Sequence, residues 1–127
     1  MTHLFQIGDF KLHSGQNSNF KIECEMLSEL DWGTLAYLVS SKFIFSNVIG
    51  IPRGGLDFAE ALKPYANNNL DHPWLIVDDV LNTGGSMEEG RVNLQGLGKT
   101  AIGVIVFARG PCPDWIHPMF QFWDDES

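Results

Sequence analysis

The sequence predicts an α/β domain: a mostly parallel sheet with helices on both faces, preceded by a small N-terminal hairpin. Three observations carry that prediction. Apolar, β-branched runs at Asn47–Ile51, Trp74–Val77 and Ala101–Phe107 read as strands buried on both faces, as parallel pairing requires. The first two runs each pass through a glycine-bearing turn directly into a helical pattern. Length is the third: 127 residues make one domain, large enough for a real core. Its parts read as an N-terminal segment (1–27), an α/β core (28–110) and an aromatic C-terminal tail (111–127).

The bulk composition removes several classes. A formal net charge of −8 argues against a nucleic-acid surface or an anionic membrane surface. No apolar run approaches the ~20 residues that span a bilayer. The start, Met1-Thr2-His3-Leu4-Phe5-Gln6, lacks the basic and apolar segments of a secretion signal, so a cytoplasmic location is expected. Cys24 and Cys112 have no metal-ligand spacing and read as thiols in a reducing compartment.

Taken in order, residues 9–25 alternate as two short strands, Phe10–Leu12 and Phe20–Cys24, around a polar tip at Ser14-Gly15 and Asn17-Ser18-Asn19. Residues 28–41 carry Leu30, Leu35, Ala36, Leu38 and Val39 on a helical period, with Ser28 or Asp31 placed to cap it. Trp32 and Tyr37 there read as packing residues. The run Asn47–Ile51 ends in Pro52-Arg53-Gly54-Gly55 before a helix through Ala59, Ala61 and Leu62. Adjacent amides opened by two glycines, with Arg53 for bidentate contact, suit a diphosphate; an ordinary strand-to-helix turn is the plain alternative.

The central stretch is Trp74-Leu75-Ile76-Val77-Asp78-Asp79-Val80-Leu81-Asn82-Thr83-Gly84-Gly85-Ser86. An apolar strand breaks into two carboxylates, then a small-residue turn leads into a helix carrying Met87, Val92, Leu94 and Leu97. In an open parallel sheet the carboxyl ends of strands face the ligand crevice. Backbone amides of the turn and the positive helix end suit a phosphate, while the carboxylates need hydroxyls or a cation as partners. The plain alternative is that the Asp residues only cap the turn. Adjacent strand residues point to opposite faces, so one Asp of the pair is expected to face the ligand.

The strand Ala101–Phe107 ends at Ala108-Arg109-Gly110, which places Arg109 at the same edge, either as a ligand group or in a surface ion pair. The tail holds Trp115, Ile116, Met119, Phe120, Phe122 and Trp123, a density that reads as core or subunit interface. Gly98-Lys99-Thr100 is not a nucleotide P-loop, because position 93 is Asn and a strand rather than a helix follows.

The stretch from Val77 to Ser86 resembles the phosphoribosyl pyrophosphate motif of the type I phosphoribosyltransferases. The Arg53–Gly55 turn resembles that family's pyrophosphate loop, and the segment Phe10–Phe20 resembles the hood of orotate phosphoribosyltransferases. The resemblance implies transfer of a phosphoribosyl group from phosphoribosyl pyrophosphate to a nitrogenous base, orotate in the nearest branch, with Mg2+ carried mainly by the substrate. It implies that Asp78 and Asp79 hold the ribose hydroxyls and that Asn82, Thr83, Gly84, Gly85 and Ser86 hold the 5′-phosphate. Arg53, Gly54 and Gly55 would hold the pyrophosphate. His13, Ser14, Gly15, Phe20 and Arg109 would face the base, and a homodimer is the family's usual state. Two departures stand out: His13 occupies the place of a lysine, and only Lys63–Pro73 lies where relatives carry a longer, lysine-bearing lid. A non-catalytic sensor of phosphoribosyl pyrophosphate or nucleotide is the alternative reading.

Overall fold

A computed structural model describes residues 3–11, 17–81 and 84–122, with backbone only at 17–19. The expected His13, Ser14, Gly15, Asn82 and Thr83 contacts therefore lie outside the described residues. No helix among the described residues is long and apolar enough to cross a membrane.

Strands β1 (Phe5–Lys11) and β2 (Asn17–Ile22) form an antiparallel hairpin. β1 starts five residues before the alternation at Phe10, because a register shift between Ile7 and Phe10 absorbs Gly8-Asp9 and hides the earlier half. Beyond β2, Cys24–Met26 turns as a 3-10 helix rather than continuing the strand.

Helix α1 (Glu29–Ser40) begins with a capping box: Asp31 N–H donates to Ser28 Oγ (3.1 Å) and Ser28 N–H to Asp31 Oδ2 (2.9 Å). Such a cap contributes about 1 kcal/mol. The helix buries Trp32, Leu35, Ala36 and Val39, whereas Leu30 and Tyr37 stand in solvent at 80% and 62% exposure. Tyr37 is thus not the packing residue expected. α1 rests on α2 and the sheet along one stripe only, which leaves the rest of its apolar residues outside.

The main sheet contains β3 (Asn47–Gly50), β4 (Trp74–Leu81), β5 (Ala101–Arg109) and β6 (Ile116–Phe122), all parallel and in that spatial order. Helix α2 (Leu56–Leu62) connects β3 to β4, and α3 (Gly85–Gly96) connects β4 to β5. α1 and α2 cover one face: Trp32, Leu35, Val39, Phe58 and Leu62 pack on Leu75, Val77, Val104 and Val106. α3 covers the other, with Met87 and Leu94 against Ile76, Ile105 and Ile116.

β6 corrects the reading of residues 111–127 as a tail, since the sheet continues past residue 110. Pro118 interrupts the strand pattern in the sequence, but an outermost strand has a free side on which a missing N–H is harmless. The tail's aromatics serve this core: Phe107 packs on Phe120 (5.5 Å) and Phe122 (5.8 Å).

Candidate functional site

The loop after β3 and the strand end of β4 are pressed together. Ile51 N–H donates to Val77 O (2.9 Å), and Gly55 N–H returns to Ile51 O (2.9 Å), so Arg53–Gly55 folds tightly back over β4. The Pro52–Arg53 peptide is cis. Glycine is required at Gly55, where a Cβ would lie 2.6 Å from Val77 O, and at Gly54 a Cβ would meet the carboxylate of Asp79.

β4 does not break at its acidic pair as the sequence suggested. It runs on to Leu81 because β5 continues to pair with it, Asp78 opposite Ile105 and Leu81 opposite Ala108, after β3 has ended opposite Val77. The carboxylates turn back on their own strand, Asp78 Oδ1 accepting from Asp79 N–H (2.8 Å) and Asp79 Oδ1 from Val80 N–H (2.7 Å). Face alternation slips once here. Leu75, Val77 and Val80 pack with the first core cluster, Ile76 and Leu81 with the second.

A crevice opens at the carboxyl ends of the strands, between the Arg53–Gly54 loop and the N-terminal hairpin. It is a cavity of about 710 Å3 lined by Arg53, Gly54, Asp57, Asp79 and Val80 on one side. The hairpin and its exit supply Lys11, Lys21, Ile22, Glu23, Cys24 and Glu25, with Trp32 and Arg109 completing the wall. Among the described residues, four cations and four carboxylates thus share one cleft in a strongly acidic chain. Lys21 and Glu23 form an ion pair along the hairpin side.

Of the expected site residues that are described, Arg53, Gly54, Asp79 and Arg109 line this cleft; Asp78, Gly55, Phe20, Gly84, Gly85 and Ser86 do not. Burial, with a hydrogen bond shared with the Asp79 side chain, pushes the Asp78 carboxyl up to about 7. Burial beside Asp79, Asp78 and Glu23 likewise pushes the Cys24 thiol up to about 12. Phe20 is 6% exposed and stacks on Phe5 (5.4 Å), so its ring belongs to the hairpin's own packing. Gly84 takes a positive φ of 77° and leads Gly85-Ser86 into the first turn of α3, a backbone that glycine adopts without strain.

Sequence reasoning missed Lys11, Glu23, Glu25, Asp57 and Trp32 as cleft residues. Only Asp57 carried a local signal, an acid in the turn after Gly54-Gly55; the others reach the cleft through tertiary placement of the hairpin and α1.

The class defined by these elements is the type I phosphoribosyltransferase fold: a parallel sheet flanked by helices, with a hairpin over its carboxyl edge. Several solved structures share this architecture. Orotate phosphoribosyltransferase from Aeropyrum pernix matches with a TM-score of 0.72 at 23% identity, over 93% of this chain and 88% of that one. The orotate phosphoribosyltransferase of Mycobacterium tuberculosis H37Rv, solved with Fe(III) dicitrate, matches with a TM-score of 0.66 at 14% identity, over 93% and 89%. Leishmania donovani UMP synthase matches with a TM-score of 0.71 at 18% identity, over 94% of this chain and 34% of that one. No family model and no curated protein sequence matches the chain.

Proposed function

We propose that this protein transfers a phosphoribosyl group from phosphoribosyl pyrophosphate to a nitrogenous base, orotate foremost, releasing pyrophosphate. One observation carries the reading: the Arg53–Gly55 loop and the Asp79 carboxylate are packed against each other at a crevice between neighbouring parallel strands. A loop suited to a diphosphate beside a carboxylate suited to ribose hydroxyls is what a sugar bearing a diphosphate requires, and this supports the reading.

Displacement of pyrophosphate from the anomeric carbon spreads positive charge over the ribose and negative charge over the leaving group. The protein's task is to position and stabilise, with no protein nucleophile. Asp79 takes the ribose hydroxyls, with Asp78 behind it. Asn82 to Ser86 take the 5′-phosphate at the start of α3. Arg53 and the amides of Gly54 and Gly55 take the diphosphate, while Arg109 and the hood, His13 to Phe20, stand at the base end.

The residues present fit magnesium: Asp79 supplies a hard oxygen beside the diphosphate loop, and Mg2+ favours one or two carboxylates with substrate phosphates. When bound, such an ion would supply positive charge to the diphosphate. The working unit in this reading is a homodimer.

A second reading, a non-catalytic sensor, is favoured by the segment between α2 and β4. After Lys63–Tyr65 its backbone is tied to Phe45 and Ser46 (Asn67 N–H to Phe45 O, 3.1 Å; Asn68 N–H to Ser46 O, 3.0 Å), at the sheet edge opposite the cleft. Lys63 pairs with Glu60 (2.8 Å). No lid therefore comes from this segment, and lids exclude water during the reaction.

Pyrophosphate release from phosphoribosyl pyrophosphate with Mg2+, across orotate, uracil and the purine bases, decides between the two. Release stimulated by one base, and lost in Asp79→Asn, is expected. Binding of phosphoribosyl pyrophosphate without release under any base would select the sensor, and no binding at all would overturn both.

A further inference from the structure

We propose that Arg109 is a positioning residue that latches the N-terminal hairpin over the cleft and acts on the base through Phe20. This rests on the phosphoribosyltransfer reading for its functional consequence, though not for its structural one. The hairpin β1–β2 is a separate two-stranded sheet, and such a unit is marginal in water without other support.

Leu4 and Ile22 pack the hairpin against the core and Phe5 stacks on Phe122 (5.8 Å), and one polar contact fixes it to the end of β5. Arg109, the last residue of β5, donates from Nη2 to the carbonyl of Phe20 at 2.9 Å, joining positions 89 residues apart. The guanidinium carbon lies 4.0 Å from the centre of the Phe20 ring, within cation–π range. On the strand side of that ring stand Phe5 at 5.4 Å and Phe122 of β6 at 5.8 Å. Phe20 is therefore held between the cation at the end of β5 and the aromatic rings of β1 and β6.

The residues that follow Phe20 in β2 and its exit, Lys21, Ile22 and Glu23, line the cleft directly. Where Phe20 is held, these are held. An arginine that only read an acidic base would need no aromatic platform and no backbone carbonyl of the hairpin. The planar guanidinium does both at once, stacking by its face and donating from its edge, which an ammonium does poorly.

The test combines Arg109→Ala, Arg109→Gln and Phe20→Leu with two readouts. The first is amide hydrogen exchange of the hairpin in the free protein. Loss of one charge-assisted bond and one cation–π contact should speed exchange at β1 and β2 about tenfold or more in Arg109→Ala, with β4 and β5 unchanged. Arg109→Gln, which keeps a planar donor, should recover part of that protection, and Phe20→Leu should resemble Arg109→Ala. Unaltered hairpin exchange in Arg109→Ala overturns the latch, whether or not the protein binds any nucleotide.

The second readout is affinity for orotate and for uracil at saturating phosphoribosyl pyrophosphate. The latch predicts that Arg109→Ala weakens both bases by a similar factor and that Gln restores both in part. Selective loss of orotate, unrescued by Gln and absent in Phe20→Leu, would establish direct reading of the carboxylate and overturn the proposal. If neither base binds the unmodified protein, the transfer reading fails and the exchange result alone judges the latch.

Discussion

Replacing Asp78 with asparagine should stabilise the protein in mild alkali and leave it unchanged in acid. In the folded chain burial, together with the hydrogen bond shared with Asp79, raises the carboxyl from 3.8 to about 7, although Asp79 N–H donating to Asp78 Oδ1 (2.8 Å) pulls the other way. An unfolded chain ionises near the ordinary value. Between the two values the unfolded state has released a proton that the fold retains, so stability falls as pH rises from about 4 to about 7 and is flat beyond. Asparagine has no such slope, yet its amide oxygen accepts from Asp79 N–H and its amide nitrogen donates toward the Asp79 carboxylate. The interval corresponds to a ceiling of about 4 kcal/mol, at about 1.4 kcal/mol per pH unit. Asp78 is only partly buried, so solvent screens the charge, and about 2 kcal/mol is the expected gain at pH 8. That is roughly 8 °C in Tm for a chain of this size. Urea unfolding followed by circular dichroism at pH 4.5, 6, 7 and 8.5 measures it. A variant less stable than the parent at pH 8, or a difference that does not grow with pH, would refute the reasoning.

Gly50, at the end of β3, and Gly54, in the loop after it, should respond differently to alanine. At Gly50 the new Cβ would meet Gly55 O and sit 2.8 Å from Ala59 Cβ, fixed neighbours, so Gly50→Ala should lose about 3 kcal/mol in urea unfolding. At Gly54 it meets only the Asp79 carboxylate, which can swing aside. Gly54→Ala should therefore unfold within about 1 kcal/mol of the parent but bind phosphoribosyl pyrophosphate about tenfold more weakly, by calorimetry. The cysteines give another check. With its thiol at about 12, Cys24 should resist iodoacetamide at pH 8 until urea unfolds the chain. Half-buried Cys112 should label first in peptide mass spectrometry, and early labelling of Cys24 would contradict the burial described.

Much of the fold was legible because it is local. The β3–α2 and β4–α3 units each combine an apolar run, a glycine turn and a helical period, and Ser28 with Asp31 spelled out the cap of α1. Two failures have physical causes. β6 carries Pro118 and an uneven series of aromatics, so its strand character depends on β5 pairing with it. Val92 and Leu97 sit on the helical period of α3 but face solvent, because among the described residues one helix alone covers that face of the sheet. The candidate site divides the same way. Arg53, Gly54 and Asp79 were readable from their loops, since each loop's own geometry brings them to the strand ends. Trp32, Glu23 and the latch of Arg109 on Phe20 were not, because they arise where segments distant in the chain meet.

The placement of α2 and α3 has a consequence for topology. Both connections step in the same direction across the sheet, from β3 to β4 and from β4 to β5, yet they travel over opposite faces. Two such paths are of opposite hand, and crossovers between parallel strands are right-handed in about 98% of cases. One of the pair has the rare hand. Open sheets ordinarily part their helices, and so form a crevice, by reversing strand order. This chain keeps its strands in order and parts the helices by chirality instead. A redesign that gave both connections the common hand would bring α2 and α3 to one face and leave the other face of the sheet without its helix.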